Sequence, residues 1–155
     1  MQMRKEETSD PRIQLAFVLA VGGMAGFALG WHPEWLGLAT TPEVGFLQIM
    51  FMVVGMGVYA GSSIWGMRLL WGRPWSLLAR VGARVMATGY VAFAAAVMAD
   101  VLGLGSQTWP NSAHFGPIQW WGMLAGEALM VAGLLMMYPY RFLLTKEEAS
   151  HGETS

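Results

Sequence analysis

Glu127 is the acidic residue that lies deepest within an apolar stretch of the chain. It follows Pro117 by ten residues, in a segment, 117–140, that carries no other charged side chain. If a membrane-spanning helix begins at Pro117, a rise of about 1.5 Å per residue places Glu127 roughly 15 Å inside, near the bilayer midplane. A carboxylate is costly at that depth, which favours the neutral acid. Three roles are open: a neutral hydrogen-bond donor to a backbone carbonyl or to Ser62 or Ser63, a group that binds a proton or a cation, or a contact with another subunit. We expect the first.

A second polar group is predicted near the end of the third apolar segment. Asp100 lies there at the C-terminal end of a predicted helix, where the helix dipole disfavours a negative charge, so its carboxylate needs a compensating donor. Gln48 and Gln119 each lie about one turn inside the same side of the membrane. We expect Asp100, Gln48 and Gln119 to form a polar cluster between the two halves of the chain. An indole N–H or a water molecule is the alternative partner for Asp100.

The remaining polar residues form no recognisable catalytic or metal-binding pattern. His32 and His114, with Glu34 or Asp100, are ligand types for Zn²⁺ or Cu²⁺, but their spacing places no two of them on one helical face. Neither histidine lies at the middle of a span, as an intramembrane haem would require. The chain contains no cysteine, and no nucleophile-base pair, phosphate-binding loop or dinucleotide-binding fingerprint is present. We therefore predict no catalytic residue, no metal and no cofactor.

The elements that must position these residues are four membrane-spanning helices. Of the 155 residues, 55% are hydrophobic and only 12% are charged, and the mean hydropathy is +0.44. A chain this apolar cannot cover a water-exposed surface of its own. The apolar segments predict spans at 13–31, 44–67, 85–104 and 117–140, in a transmembrane domain of residues 13–143 with polar tails at 1–12 and 144–155.

The basic residues predict the orientation of these spans. All nine lie before the first span, around the second connection or after the fourth span, whereas the first and third connections contain none. By the positive-inside rule, both termini are cytoplasmic and the protein is a multi-pass protein of the cell inner membrane. Tryptophan and tyrosine residues near the ends of the spans fit this frame. The basic residues of the second connection are candidates for binding lipid headgroups: Arg68, Arg73, Arg80 and Arg84.

Glycines at four-residue spacing predict where the helices pack closely. Small residues let two backbones approach in lipid, where dispersion rather than hydrophobic exclusion drives association. A glycine-lined cavity for a lipid tail or a quinone is the alternative interpretation. The candidate packing residues are Gly22, Gly26 and Gly30 in the first span, Gly57 and Gly61 in the second, and Gly122 and Gly126 in the fourth.

Two short matches indicate an internal repeat. Gln48 and Gln119 are each followed seven residues later by glycine, at Gly55 and Gly126, and these pairs are 71 residues apart. A Leu-Gly-Leu sequence precedes each match, at 36–38 and at 102–104. We expect a duplicated helical hairpin whose two copies are related by an axis along the membrane normal.

The segments 99–105 (ADVLGLG) and 115–119 (FGPIQ) resemble the outer-loop signature of small uncharacterised bacterial four-helix integral membrane proteins. The resemblance covers about a third of the chain and depends on glycines and one glutamine. It implies the four-helix architecture and no activity.

The sequence favours one function and leaves two alternatives. We expect a non-enzymatic accessory or scaffold subunit, because the chain has short connections, many glycines and no catalytic constellation. The first alternative is a small transporter, channel or proton-coupled carrier that uses Glu127 and Asp100. The second alternative is a membrane anchor subunit of a redox or lipid-modifying complex. The expected partners are the lipid bilayer and other membrane subunits or a second copy of the chain; the net charge of −1 gives no attraction to nucleic acid.

Overall fold

Four long helices make up most of the structure, a computed structural model that describes residues 10–37, 45–71, 76–104 and 115–138. Each helix is long and apolar enough to cross a membrane, which confirms the predicted all-helical architecture. The helices are α1 (Pro11–Trp31), α2 (Phe46–Trp71), α3 (Leu77–Met98) and α4 (Pro117–Met137), and a short 3₁₀ helix, Pro33–Leu36, follows α1.

Capping side chains set the beginnings of α1 and α3. The Asp10 carboxylate accepts a hydrogen bond from the Arg12 N–H at 2.9 Å, and the Ser76 hydroxyl accepts one from the Ala79 N–H at 3.0 Å. Helix α3 therefore begins well before the predicted span at residue 85 and includes Arg80 and Arg84, which are exposed. Long basic side chains are compatible with a helix end near the interface, because their charged groups extend to water.

Two glycines in left-handed conformation follow α1 and α3. Gly37 has φ 67° and Gly103 has φ 73°, a backbone region that disfavours residues with a side chain. The Gly103 N–H donates to the carbonyl oxygen of Asp100 at 3.2 Å. Because α3 ends at Met98, Asp100 lies in the turn after the helix. The sequence predicted it within the last turn of the helix.

The helices pack as two antiparallel pairs, α1 with α2 and α3 with α4, and the pairs meet chiefly through α2 and α3. We call the end of the bundle at Trp31, Phe46, Met98 and Pro117 the hairpin end, and the opposite end the terminal end. At the terminal end, the indole N–H of Trp71 donates to the carbonyl oxygen of Met137. This contact joins the ends of α2 and α4.

Within each pair, the backbones touch at glycines. A Cβ added to Gly89 would lie 2.6 Å from the carbonyl oxygen of Gly126, and one added to Gly82 would lie 2.6 Å from that of Gly133. In the first pair, a Cβ on Gly23 would lie 2.7 Å from the carbonyl oxygen of Gly55. No side chain larger than hydrogen fits at these contacts without separating the helices.

The small residues at these contacts recur every seven residues rather than every four. The buried series are Ala16, Gly23 and Gly30 in α1, Gly82 and Gly89 in α3, and Gly126 and Gly133 in α4. Seven residues are almost two full turns, so such positions stay on one face along the whole helix. A four-residue repeat drifts around the helix and leaves the contact after about two turns.

This drift accounts for the predicted packing glycines that do not contact another helix. Gly22 and Gly61 are exposed, and no atom of the described residues outside their own helical turns lies within 4 Å of a Cβ added to either. The prediction that they pack against a neighbouring helix of the chain is therefore wrong. A Cβ on Gly26 would lie 3.5 Å from the Cα of Gly55, an ordinary contact.

The other predicted glycines lie at helix contacts. A Cβ on Gly30 would lie 2.7 Å from the amide nitrogen of Met52, and one on Gly122 would lie 2.8 Å from the Cβ of Ala96. Gly57 faces the Tyr90 hydroxyl of α3. Gly126 is at the close contact with α3 described above.

Methionine and phenylalanine fill the interior, and apolar residues also cover the exterior. The largest fully buried side chains include those of Phe93, Met52 and Met86. Phe17, Val91 and Ile118 are among many large apolar side chains that point outward. An apolar exterior around a packed interior is the surface that a lipid environment requires.

Equivalent contacts in the two hairpins are separated by constant offsets. Adding 66 to Gly23 and 71 to Gly55, the residues that touch in the first hairpin, gives Gly89 and Gly126, which touch in the second. The same offset of 66 relates the two left-handed glycines. It also relates Phe27 to Phe93, whose rings meet edge to face with centroids 5.8 Å apart.

Candidate functional site

A cavity of about 190 Å³ lies between α1 and α4. The lining side chains are apolar except for the Glu127 carboxyl and the indole N–H groups of two tryptophans. The lining residues are Phe27 and Trp31 from α1, and Trp120, Met123, Leu124 and Glu127 from α4.

Glu127 faces this cavity because of its position on α4. It lies seven residues after Trp120, four after Met123 and three after Leu124, the spacings at which side chains share one face of an α-helix. Its side chain is partly buried. The carboxyl group is therefore presented to the cavity together with the three apolar side chains that precede it.

The hydrogen-bond partners expected for Glu127 were a backbone carbonyl, Ser62 and Ser63. The Ser62 hydroxyl donates to the carbonyl oxygen of Val58, in its own helix, at 2.6 Å. Among the described residues, no hydrogen bond or ion pair joins the Glu127 carboxyl to a neighbour. Within this part of the chain, Glu127 is thus hydrogen-bonded to none of the three expected partners.

Aromatic rings form the wall of the cavity nearest the hairpin end. The rings of Trp31 and Trp120 stack with centroids 5.1 Å apart and an interplanar angle of 21°. The Phe27 ring lies 6.0 Å from that of Trp31 and also contacts Phe93. Because an aromatic face carries partial negative charge, the faces of these rings that are not covered by the stack can attract positive charge.

The cavity opens sideways between the two hairpins. Trp120 is 41% exposed and Leu124 is 42% exposed, whereas Met123 is buried. Trp31 is the last residue of α1 and Trp120 lies in the first turn of α4, so the opening is near the hairpin end. Glu127 lies about two turns deeper along α4.

Two of the three residues predicted to form a polar cluster are buried at the hairpin end. Asp100 is 7% exposed and Gln119 is 4% exposed, whereas Gln48 is only partly buried. Phe93 lies beside Gly126 in the antiparallel pair of α3 and α4. Seven residues nearer the hairpin end, Phe93 is followed by Asp100 in one helix direction and Gly126 is preceded by Gln119 in the other. These two residues therefore lie at the same level of the second hairpin, while Gln48 belongs to the first.

Gln119 also has a local role that the sequence interpretation missed. Its side-chain oxygen accepts a hydrogen bond from the Gly116 N–H at 2.6 Å, which caps the beginning of α4. Its side-chain nitrogen is buried without a hydrogen-bond partner among the described residues. A glutamine three residues after Gly116, with Pro117 between them, was the sequence signal for this cap.

The candidate headgroup-binding residues that the structure describes lie at the terminal end. Arg68 is in the last turn of α2, and Arg80 and Arg84 are in the first turns of α3; all three are exposed. Arg73 lies outside the described residues. The described arginines are thus far from the Glu127 cavity, which opens near the hairpin end.

His32 and Glu34 pair at the hairpin end. The Nδ1 atom of His32 lies 2.8 Å from a carboxylate oxygen of Glu34, and its ring stacks on that of Trp35 with centroids 4.9 Å apart. The hydrogen bond from His32 lowers the pKa of Glu34, and a backbone hydrogen bond adds to the effect. Within the described ranges, no three histidine or carboxylate side chains form a metal-binding group, and His114 lies outside those ranges.

Comparison with protein-family models, with curated proteins and with solved structures returned no match. The resemblance to small bacterial four-helix membrane proteins therefore stays a prediction.

The aromatic wall of the cavity was the main feature that the sequence interpretation missed. Trp31 and Trp120 were interpreted as interfacial anchors, because each lies near the end of an apolar segment. The helical spacing around Glu127 was the available signal for Trp120, Met123 and Leu124. No sequence pattern indicated that Phe27 and Trp31 face them from α1.

Proposed function

We propose that this protein is a multi-pass membrane protein that binds a proton or a small cation at Glu127, as a small carrier or channel does. The observation that carries this proposal is the Glu127 carboxyl, which lines a cavity without a hydrogen-bond or ion-pair partner among the described residues. A purely structural acid is expected to have such a partner, because an unpaired polar group is costly away from water.

The location of the basic residues supports the same proposal. The described arginines lie near the terminal end of the bundle, and none of them lines the cavity. A proton or a cation from outside the chain is then the species that neutralises the carboxylate. Ionisable residues that face an intramembrane cavity commonly lie on ion or proton pathways. Asp100, buried near the hairpin end, is a candidate for a second site on that pathway.

An accessory or scaffold subunit is the second candidate function, and Gly22 and Gly61 favour it. Both are exposed on helices that a membrane would surround. Small residues on an outward face let a helix of another subunit approach closely. In this case Glu127 contacts the partner subunit. The anchor subunit of a redox or lipid-modifying complex is a form of the same proposal.

We also propose that the chain arose by duplication of a helical hairpin. The constant offsets of 66 and 71 residues between equivalent contacts support it, as does the contact between the equivalent residues Phe27 and Phe93. Equivalent residues meet at the axis that relates two copies. Since both hairpins begin at the terminal end, that axis runs along the membrane normal.

The orientation proposed from the basic residues places both termini in the cytoplasm, in the inner membrane of the cell. Its test is labelling of intact cells with a membrane-impermeant thiol reagent, which is specific because the natural chain has no cysteine. Thr41→Cys and Ser112→Cys should react, and Ser76→Cys should react only after the cells are opened. Labelling of Ser76→Cys in sealed cells contradicts the orientation.

The function at Glu127 is tested by Glu127→Gln, which keeps the size and a hydrogen-bond donor but removes the titratable carboxyl group. We expect the purified variant to insert and remain stable, to lose the protonated-carboxyl band in pH-difference infrared spectra, and to fail to complement a deletion strain. Glu34→Gln, at an exposed glutamate, is the matched control and should complement. Full complementation by Glu127→Gln rules out proton or cation binding as the function and favours the accessory subunit.

A further inference from the structure

We infer that the cavity at Glu127 binds a small organic ammonium ion, a quaternary or tertiary alkylammonium group. This inference rests on the proposed function, since it names the class of cation that Glu127 binds. It is carried by the combination, in one cavity, of a carboxyl group and the aromatic rings of Phe27, Trp31 and Trp120.

The lining chemistry distinguishes an organic cation from a metal ion. Hard metal cations need several oxygen ligands, and six or more is usual for Ca²⁺ and Mg²⁺. Glu127 supplies the only side-chain oxygen atoms among the residues that line the cavity. An alkylammonium ion needs none of the missing ligands, because its alkyl groups pack against apolar walls and its charge is attracted by aromatic faces.

The aromatic wall also distinguishes a cation from a neutral apolar ligand such as a lipid tail. Trp31 and Trp120 both line the cavity, and because they stack on each other each ring has one face that the other does not cover. Tryptophan is the side chain with the strongest cation–π attraction, and these outer faces are the ones that would attract the cation. A lipid tail would be accommodated equally well by aliphatic side chains and would leave the Glu127 carboxyl unpaired. Charge complementarity therefore favours the cation.

The size of the cavity limits the ligand. Its volume of about 190 Å³ is below the range of roughly 300–1,000 Å³ that is typical of sites for drug-sized molecules. An ammonium group with short alkyl substituents is the appropriate size. Any longer substituent would extend past Trp120 and Leu124, where the cavity is open.

Binding of the ammonium ion is coupled to release of a proton. The neutral Glu127 acid loses its proton when the cation arrives, and the carboxylate and the cation form a neutral pair, so the charge inside the membrane is unchanged. The other ionisable groups of the described residues do not line the cavity. They are Asp10 and Arg12 at the start of α1, His32 and Glu34 after it, Tyr59 and Arg68 on α2, Arg80, Arg84 and Tyr90 on α3, Asp100 after α3, and Tyr138 after α4. The affinity should therefore fall about tenfold for each unit by which the pH is lowered, over the range in which Glu127 is protonated.

The test is a titration of the purified full chain, in an uncharged maltoside detergent, with choline and with its neutral isostere 3,3-dimethylbutan-1-ol. The two molecules have the same shape and differ in charge. We expect choline to bind at least tenfold more tightly, by calorimetry, and its binding to release a proton. Glu127→Gln should abolish the preference for choline. Equal binding of the two molecules overturns the inference.

Adjacent tryptophans supply a matched control for the aromatic wall. Trp120 lines the cavity, whereas Trp121 is 71% exposed and does not. Trp120→Leu should weaken choline binding about tenfold or more, Trp120→Phe should retain most of it, and Trp121→Leu should leave it unchanged. Equal effects of Trp120→Leu and Trp121→Leu contradict the proposed site.

The two proposals fail in different ways. If choline does not bind but Glu127→Gln still loses the infrared band and complementation, the inference of an organic cation is wrong and the proton or cation function stands. If choline binds equally to Glu127→Gln, the carboxyl is not part of the site and the inference is also wrong.

Discussion

Replacing Gly23 by alanine tests the close packing of α1 on α2 against a control one residue away. A Cβ on Gly23 would lie 2.5 Å from the amide nitrogen of Tyr59, whereas a Cβ on Gly22 would meet no described atom of another helix within 4 Å. Both residues lie inside α1. The two substitutions therefore share their effect on helix propensity and differ in packing.

The magnitude follows from the contact distance. To restore an ordinary contact at Gly23→Ala, the two helices must separate by about 1 Å, which forfeits between a quarter and a half of the dispersion energy of the affected contacts. Overpacking of this kind costs about 1–3 kcal/mol. Alanine itself stabilises a helix by about 0.5–1 kcal/mol relative to glycine, equally at both positions. We expect Gly22→Ala to be slightly more stable than the natural protein and Gly23→Ala to be about 1–3 kcal/mol less stable than Gly22→Ala.

The assay is unfolding of the purified protein in mixed micelles, with an increasing fraction of sodium dodecyl sulfate and circular dichroism as the signal. The midpoint for Gly23→Ala should fall below that for Gly22→Ala at equal initial helix content. If the two variants have the same midpoint, α1 does not contact α2 through Gly23, and the seven-residue spacing does not define the interface.

Three further predictions use other parts of the bundle. Gly126→Leu should lower the unfolding midpoint strongly because it separates α4 from α3, while Leu70→Ala, at an exposed side chain, should stay within about 0.5 kcal/mol of the natural protein. Phe93→Ala should cost about 3–5 kcal/mol in the same assay, mainly through the cavity left at a fully buried ring; a cost below the error of the assay would contradict its central position. His32→Ala should raise the pKa of Glu34 towards its ordinary value in a carboxyl NMR titration, because the hydrogen bond that lowers it is lost. Since that pKa is lowered in the folded protein, the pair stabilises the fold at pH values above the unfolded pKa of Glu34, and this contribution is lost as the pH falls through the folded pKa.

The boundaries of the helices were predictable to the extent that they depend on local composition. The apolar segments predicted four helices in the right places. The start of the third span was predicted too late, because Arg80 and Arg84 were assigned to the connection. Both arginines lie within α3, which begins after Ser76. A serine followed by apolar residues was the cap signal that the hydropathy pattern concealed.

The sequence predicted close helix packing at glycines, and the predicted positions were right for some of these glycines and wrong for others. Abundant glycine in apolar segments indicated close helix packing, and Gly30, Gly122 and Gly126 lie at such contacts. The four-residue spacing also selected Gly22 and Gly61, which face outward. Spacing within one helix cannot decide between two neighbouring faces, because the contact face depends on the register of the partner helix.

The sequence by itself determined the number and order of the helices and the presence of one carboxyl group deep in an apolar segment, because hydropathy and charge are local properties of the chain. The tertiary structure decided what that carboxyl group faces. The rotation of α4 about its axis, set by its glycine contacts with α3, turns Glu127 towards α1. The contact of Phe27 with Phe93 then brings α1 close enough for Trp31 to stack on Trp120. These contacts join residues that are far apart in sequence, so no local pattern predicts them.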